Sequence, residues 1–417
     1  MTSKLGWILR LLTRRLWFRS TLISLLAVVS ALLAIFVGPY IPYEISASIG
    51  ADAVDNILTI IASSMLAVTT FSVSSMVAAY SAATTNVTPR ATKLLLQDAT
   101  SQNVLSTFVG SFLFSLVAII TLSMGAYGEQ GRVILFVVTI FVVLLIVVTL
   151  LRWIDYLTRL GRVGETTSAV EKDTAEALNN RHVQPYLGAM FLGDEADIPA
   201  SAEPVNSTEI GYVQHIDMER LQEIAKDCET ILYSLALPGT FVDTRRPLAR
   251  IACEDEAIRS AVRNCYTLET ERSFDQDPRF GMSVLAEIAQ RALSPAVNDP
   301  GTAIDVIGRS VRLLTIWSEP TDRDAVRYPN VRMNSVKLGE LFDDVFSPIA
   351  RDSASLVEVH VRLQKALAAL AALPDPRFRI EAARHSRLAL LRSIPAMSLD
   401  EDRQAIDQAA AEVARYA

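Results

Sequence analysis

Four stretches of this chain carry no Asp, Glu, Lys or Arg: Ser20 to Tyr43, Asn56 to Pro89, Ala99 to Gly128 and Val133 to Leu151, which are 24, 34, 30 and 19 residues long. Each can hold the roughly 20 apolar residues that cross a bilayer core. A segment surrounded by lipid must satisfy its backbone internally, so each is expected to be a helix. The chain therefore reads as an α-helical membrane protein with four transmembrane helices. No histidine falls inside the runs either. Proton relays, coupled transporters and voltage sensors use ionisable groups at membrane depth, so those mechanisms are disfavoured.

The rest of the chain is a different kind of polypeptide. Leu157 to Ala417 holds 40 acidic and 30 basic residues, a net charge of −10, and no comparable apolar run. The overall 51% hydrophobic and 20% charged residues are thus an average of two regimes. This composition excludes a disordered chain, a small disulfide scaffold and a basic nucleic-acid binder, so no nucleic-acid partner is expected. Cys228, Cys253 and Cys265 form no CxxC pair and read as three buried thiols rather than a disulfide framework or zinc site.

Charge also orients the spans. The first 19 residues contain Lys4, Arg10, Arg14, Arg15 and Arg19 without an acid, interleaved with Trp7, Trp17, Phe18 and leucines. This reads as a basic amphipathic arm on an anionic membrane face. The loop with Glu44, Asp52 and Asp55 has no basic residue, whereas Arg90 and Lys93, then Arg152, Arg159 and Arg162, follow the second and fourth spans. By the positive-inside rule, both termini are cytoplasmic in a bacterial inner membrane. The expected domains are residues 1–19 (arm), 20–156 (four spans), 157–205 (helical segment and linker), 206–254 (small β unit) and 255–417 (α-helical domain). The cytoplasmic part is accordingly α+β, a small β unit followed by a helical bundle.

The second span repeats small and hydroxyl residues at Ser63, Ala67, Thr70, Ser74 and Ser81, steps that share one helical face. Such a stripe serves close helix packing, or lines a hydrated path in a symmetric homo-oligomer. Further on, period-two alternation predicts strands at Ile210 to Ile216, Ile231 to Leu237, around Phe241 and at Leu248 to Ile251, with a helix at Met218 to Lys226. Asp277-Pro278, Asp299-Pro300 and Asp375-Pro376 each place a capping acceptor before a first-turn proline, so helices should start at Pro278, Pro300 and Pro376. Ser398 with Glu401 suggests a capping box for a fourth.

The stretch Thr-Leu-Glu-Thr-Glu-Arg-Ser-Phe-Asp-Gln-Asp-Pro-Arg-Phe-Gly from Thr267, with Ser-Pro-Ala-Val-Asn-Asp-Pro-Gly-Thr-Ala-Ile from Ser294, resembles the signature block of a bacterial family of predicted membrane proteins of unknown function. The resemblance takes in Gly211-Tyr212-Val213-Gln214, the Pro238-to-Val242 turn and Thr88-Pro89-Arg90. It implies a multi-span amino-terminal part and a cytoplasmic domain, with no reaction or catalytic residues to carry over. Two readings of the block stand side by side: helix caps at a constrained junction, or a polar pocket where Arg272, Asp275, Asp277, Asn298, Asp299 and Thr302 meet an anion or a cation.

His182, His215, His360 and His385 make no metal-ligand pattern and are expected at surface or capping positions. No Walker lysine motif, GxSxG or metal cluster is present, and neither an enzyme nor a cofactor is expected. Two functions remain: a homo-oligomeric conduit whose cytoplasmic domain assembles or gates it, and a membrane-anchored module binding a partner, small molecule or ion. The bilayer is a partner in both.

Overall fold

The computed structural model describes residues 6–7, 12–13, 16–37, 51–96, 98–125, 129–320 and 325–416. It forms two compact units, Ile8–Thr85 with Thr92–Glu165, and Met1–Trp7 with Asn86–Ala91 and Thr166–Ala417. Most of the basic arm and of the loops between spans lies outside the described residues.

The first unit is helical. Its elements are α1 (Leu16–Val37), α2 (Ala51–Asn86), α4 (Ala99–Ser123) and α5 (Glu129–Leu157), with the short α3 (Pro89–Leu96) following α2. Three helices are long and apolar enough to cross a membrane, over Val54–Thr85, Ala99–Ser123 and Gly131–Leu157. The first charge-free run forms α1, where the apolar stretch Trp17–Leu33 is shorter. Lipid offers no hydrophobic drive for helices to associate, so shape decides. Accordingly α1 meets α4 at Gly110, where a Cβ would stand 2.9 Å from Ile23 Cγ2, and Ser20 Oγ bonds Ser106 Oγ at 2.9 Å. Larger side chains fill the centre: Val54, Leu58, Phe114 and Leu135 in one cluster, Ile61, Met65, Phe108 and Trp153 in another.

The second unit begins with α6 (Val163–Val183), most of which it includes, and carries two sheets. One has the order β1-β8-β4-β6-β2, formed by Ala189–Phe191, Tyr328–Met333, Leu232–Ser234, Pro247–Ile251 and Glu203–Asn206. In it β1, β8 and β4 are parallel, whereas β6 runs antiparallel to β4 and β2. The other is antiparallel, with β3 (Gly211–Ile216) between β5 (Phe241–Val242) and β7 (Tyr266–Glu269). The helix α7 (Met218–Asp227) connects β3 to β4, and α8 (Glu256–Arg263) precedes β7. The expected boundary between residues 254 and 255 is absent. The strands β7 and β8 come from the region read as purely helical and complete both sheets, because backbone edges must be paired wherever they are buried.

The helical bundle comprises α9 (Pro278–Ala292), α10 (Pro300–Ser318), α11 (Leu338–Asp352), α12 (Val357–Ala371), α13 (Pro376–Ser393) and α14 (Asp400–Ala414). All three Asp-Pro starts are present: Asp277, Asp299 and Asp375 accept from the backbone N–H of Phe280, Thr302 and Arg377. Ser398 does not cap α14. Leu399 occupies that position, and Asp400, Glu401 and Asp402 in the first turn oppose the helix dipole instead. Phe342, Phe346 and Phe378 pack edge to face in the core, with centroids 5.4 and 5.9 Å from Phe342. Each such burial is worth about 1.5–3 kcal/mol.

The histidines and cysteines depart from expectation. His215, His360 and His385 are buried, and two histidines bond carbonyls at helix ends: His182 Nε2 that of Glu319 at the end of α10, and His360 Nε2 that of Ala350 in the last turn of α11. Cys265 is buried, while Cys228 and Cys253 are half-exposed free thiols. Burial holds the imidazoles of His360 and His385 down to about 4; Arg384 adds to this at His385, against the pull of Asp343. The unfolded chain protonates both near pH ~6.5, so their contribution is complete above that pH and is lost as the pH falls from about 6.5 to about 4. Denaturant unfolding in detergent should show a loss of roughly 3 kcal/mol per histidine across this window. His360→Gln should reduce that loss, and an unchanged pH profile in this variant would refute the assignment.

Candidate functional site

The signature residues split between the two ends of α9. At its start, the buried Asp277 carboxylate receives Arg272 through two parallel bonds, Nε to Oδ2 at 2.7 Å and Nη2 to Oδ1 at 3.0 Å. It also accepts from Phe280 N at 3.1 Å, and the Arg272 guanidinium lies 5.2 Å from the Phe280 ring centre. A second guanidinium, Arg181 from α6, is fully buried nearby. Its Nη2 donates to the Gln276 carbonyl at 3.1 Å, and its Nε and Nη1 have no hydrogen bond. Burial lowers the Arg181 pKa to about 10 against the pull of Asp277, which leaves it charged at neutral pH.

Glycines let backbone reach this carboxylate. At Gly239, φ is +87° and a Cβ would fall 2.1 Å from Asp277 Oδ2, so the Pro238-Gly239 turn lies directly on the carboxylate. At Gly281, a Cβ would meet Thr174 Oγ1 at 2.0 Å, which presses α9 onto α6. Asp275 faces elsewhere: its Oδ2 accepts from Trp7 Nε1 at 3.2 Å, and the Trp7 ring stacks 5.0 Å from His215. Part of the arm read as membrane-bound is therefore seated in the second unit.

Asn298, Asp299 and Thr302 lie beyond the other end of α9, where Asp299 N bonds the Ala292 carbonyl at 2.8 Å. The 15-residue helix separates them from Asp277 by on the order of 20 Å. Asn298 takes a left-handed φ of 49°. Asp299 accepts from Thr302 N at 3.1 Å and Thr302 Oγ1 at 2.6 Å, bonds that hold its carboxyl below the ordinary range. The single pocket of six residues does not form: one group is a sealed charge cluster, the other an exposed helix cap.

In α2 the striped face is exposed. Ser63, Ala67, Thr70, Ser74 and Ser81 all lie on the outside of the first unit. Buried Val54, Leu58, Ile61, Met65, Ser72 and Ala83 occupy the opposite side, about 180° away at 100° per residue. The hydroxyls of Ser63, Thr70 and Ser74 bond the carbonyls of Thr59, Leu66 and Thr70 at 2.9, 3.0 and 3.0 Å.

Sequence reasoning missed a cleft of about 940 Å³ in the second unit. It opens at the carboxyl ends of β1 and β8 and is lined by Phe191 at the end of β1 and Asp194 and Glu195 after it, by Asn334 to Lys337 between β8 and α11, by Leu338 and Gly339 at the start of α11, and by Arg377, Ile380 and Glu381 of α13. Its one linear signal is a strand followed by Asn-Ser-Val-Lys and a helix.

A family model described as "Predicted membrane protein (DUF2254)" matches residues 13–369. The uncharacterized protein Mb1321c of Mycobacterium bovis (strain ATCC BAA-935 / AF2122/97) is 25% identical over 229 residues, covering 52% of this chain and 43% of that protein. The same figures hold for the uncharacterized protein Rv1290c of Mycobacterium tuberculosis (strain ATCC 25618 / H37Rv). The chain thus spans less than half the length of these curated relatives. No solved structure matches it.

Removing one partner from a buried ionic cluster strands the others. Asp277→Ala should cost about 3–5 kcal/mol in denaturant unfolding, whereas Asp299→Ala, which removes an exposed cap, should cost about 1 kcal/mol. Equal losses would contradict the division into cluster and cap.

Proposed function

The chain belongs to this family of predicted membrane proteins, and on that footing we propose that its copies assemble in the bacterial inner membrane around the exposed hydroxyl face of α2, forming a passive conduit. In this arrangement α1 is a fourth span and both termini are cytoplasmic, as the distribution of Lys and Arg favours. The observation that carries the reading is the position of Ser63, Ala67, Thr70, Ser74 and Ser81, opposite the side through which α2 packs in its own chain. Facing lipid, such a stripe contributes nothing; between copies, small residues allow backbones to approach and hydroxyls to present oxygen toward an axis.

With the three native cysteines replaced by serine, Thr70→Cys or Ser74→Cys should give oxidative cross-links between copies, and Leu58→Cys none. Purified protein in liposomes should pass ions or small solutes. Cross-linking without flux removes the conduit and leaves the oligomer; absence of both overturns the reading.

The cleft favours a second reading, a membrane-anchored module that binds a ligand in its α+β unit. Its ligand should stabilise the protein equally when Thr70 and Ser74 are replaced by leucine, and dependence on those residues would count against it.

A further inference from the structure

We propose that the cleft at the carboxyl ends of β1 and β8 binds a nucleotide, an inference that rests on the ligand-binding reading and names its chemical class. At about 940 Å³ the cleft falls within the about 300–1,000 Å³ of small-molecule sites. Ligands of parallel α/β sheets bind outside the carboxyl ends of strands, and here two neighbouring parallel strands end at the cleft.

The lining divides by chemistry. After β8 come Asn334, Ser335 and Lys337, whose side chains have no hydrogen-bond or ion-pair partner among the described residues, and then α11, which starts without a side-chain cap. This end offers an ammonium, a hydroxyl, an amide and backbone N–H groups, donors suited to phosphate oxygens. After the adjacent β1 come Asp194 and Glu195, carboxylates placed as acceptors for ribose hydroxyls, one strand away from the phosphate end. The third wall is apolar: Phe191 is 57% exposed, lies with its ring tilted against Tyr186 at 5.3 Å between centroids, and lines the same cleft as Ile380, which is 66% exposed. That wall provides a surface for a base. The other charged groups are already engaged, Arg377 with Asp375 at 2.6 Å and Glu381 with Arg384 at 2.7 Å. Asp194 accepts from Ala196 N at 3.0 Å, so among the described lining residues Lys337 remains the cation for a phosphate and Glu195 the carboxylate for a sugar.

The test is calorimetric titration of the full-length protein in detergent with ATP, ADP, NAD, adenosine and inorganic phosphate. The nucleotides should bind more tightly than adenosine or phosphate alone. Lys337→Ala should weaken the phosphate-bearing probes about tenfold or more and leave adenosine unchanged. Glu195→Gln should weaken ATP and adenosine and leave inorganic phosphate unchanged. Both replace exposed side chains without partners, so the fold, followed by circular dichroism, should be retained. Absence of nucleotide binding at millimolar concentration, or binding indifferent to both variants, overturns the proposal. A panel of phosphate-free metabolites separates the two levels. A hit abolished by Ser335→Trp, which fills the cleft, keeps the ligand-binding reading while nucleotide specificity falls; no binding by any probe removes both.

Discussion

A carboxylate with almost no access to water holds the second unit together at one point. Asp277 starts α9, takes both arms of Arg272, lies under the Pro238-Gly239 turn and sits within the field of Arg181 from α6. A buried ion is tolerated only when its partners are close and well directed, so these elements cannot move independently. Gly239 follows from that constraint, since a methyl group there would occupy the space of the carboxylate, while Gly281 answers to the close approach of α9 to Thr174 of α6. The Nε and Nη1 nitrogens of Arg181 are buried in this cluster without a hydrogen-bond acceptor among the described residues.

The membrane unit works on the opposite principle. It contains little polarity, and many of its hydroxyls bond a carbonyl one turn back in the same helix: Thr121 and Thr139 bond the carbonyls of Val117 and Leu135, as the striped hydroxyls of α2 do with theirs. Helix contacts there depend on fit, through Gly110 against Ile23 and the large side chains between α2, α4 and α5. The two units are stabilised by different forces, one by electrostatic closure and hydrophobic burial, the other by close packing.

Local chemistry was legible in the sequence where a signal acts within a few residues. The Asp-Pro starts are such signals, because cap and first turn are covalent neighbours. Three of the charge-free runs are another, since each forms a helix long and apolar enough to cross a membrane. The sheet order was not legible: β1 and β8 pair across more than a hundred residues, and strands of three to six residues carry too little period to reveal a partner. His360 shares the buried face of α12 with Leu363, Gln364 and Leu367, a spacing readable in principle but obscured by the polarity of the residue type. The cleft draws on three separated segments, of which Asn334 to Lys337 alone leaves a linear signal, and that signal does not reveal the other two.

The length of α2 has a consequence for the bilayer itself. Its apolar stretch Val54–Thr85 has 32 residues and is therefore about 48 Å long. Fitting that length within a hydrocarbon layer of about 30 Å would require a tilt near 50°, beyond the usual range of about 0–40°. A helix of this length that crosses such a layer is mismatched to it, and roughly a dozen of its residues would emerge from the hydrocarbon. Its later half is the end suited to do so, because Ser72, Ser74, Ser75, Ser81, Thr84 and Thr85 gather there. The hydroxyl face would then cross the boundary between acyl chains and headgroups, meeting oil at one end and water at the other.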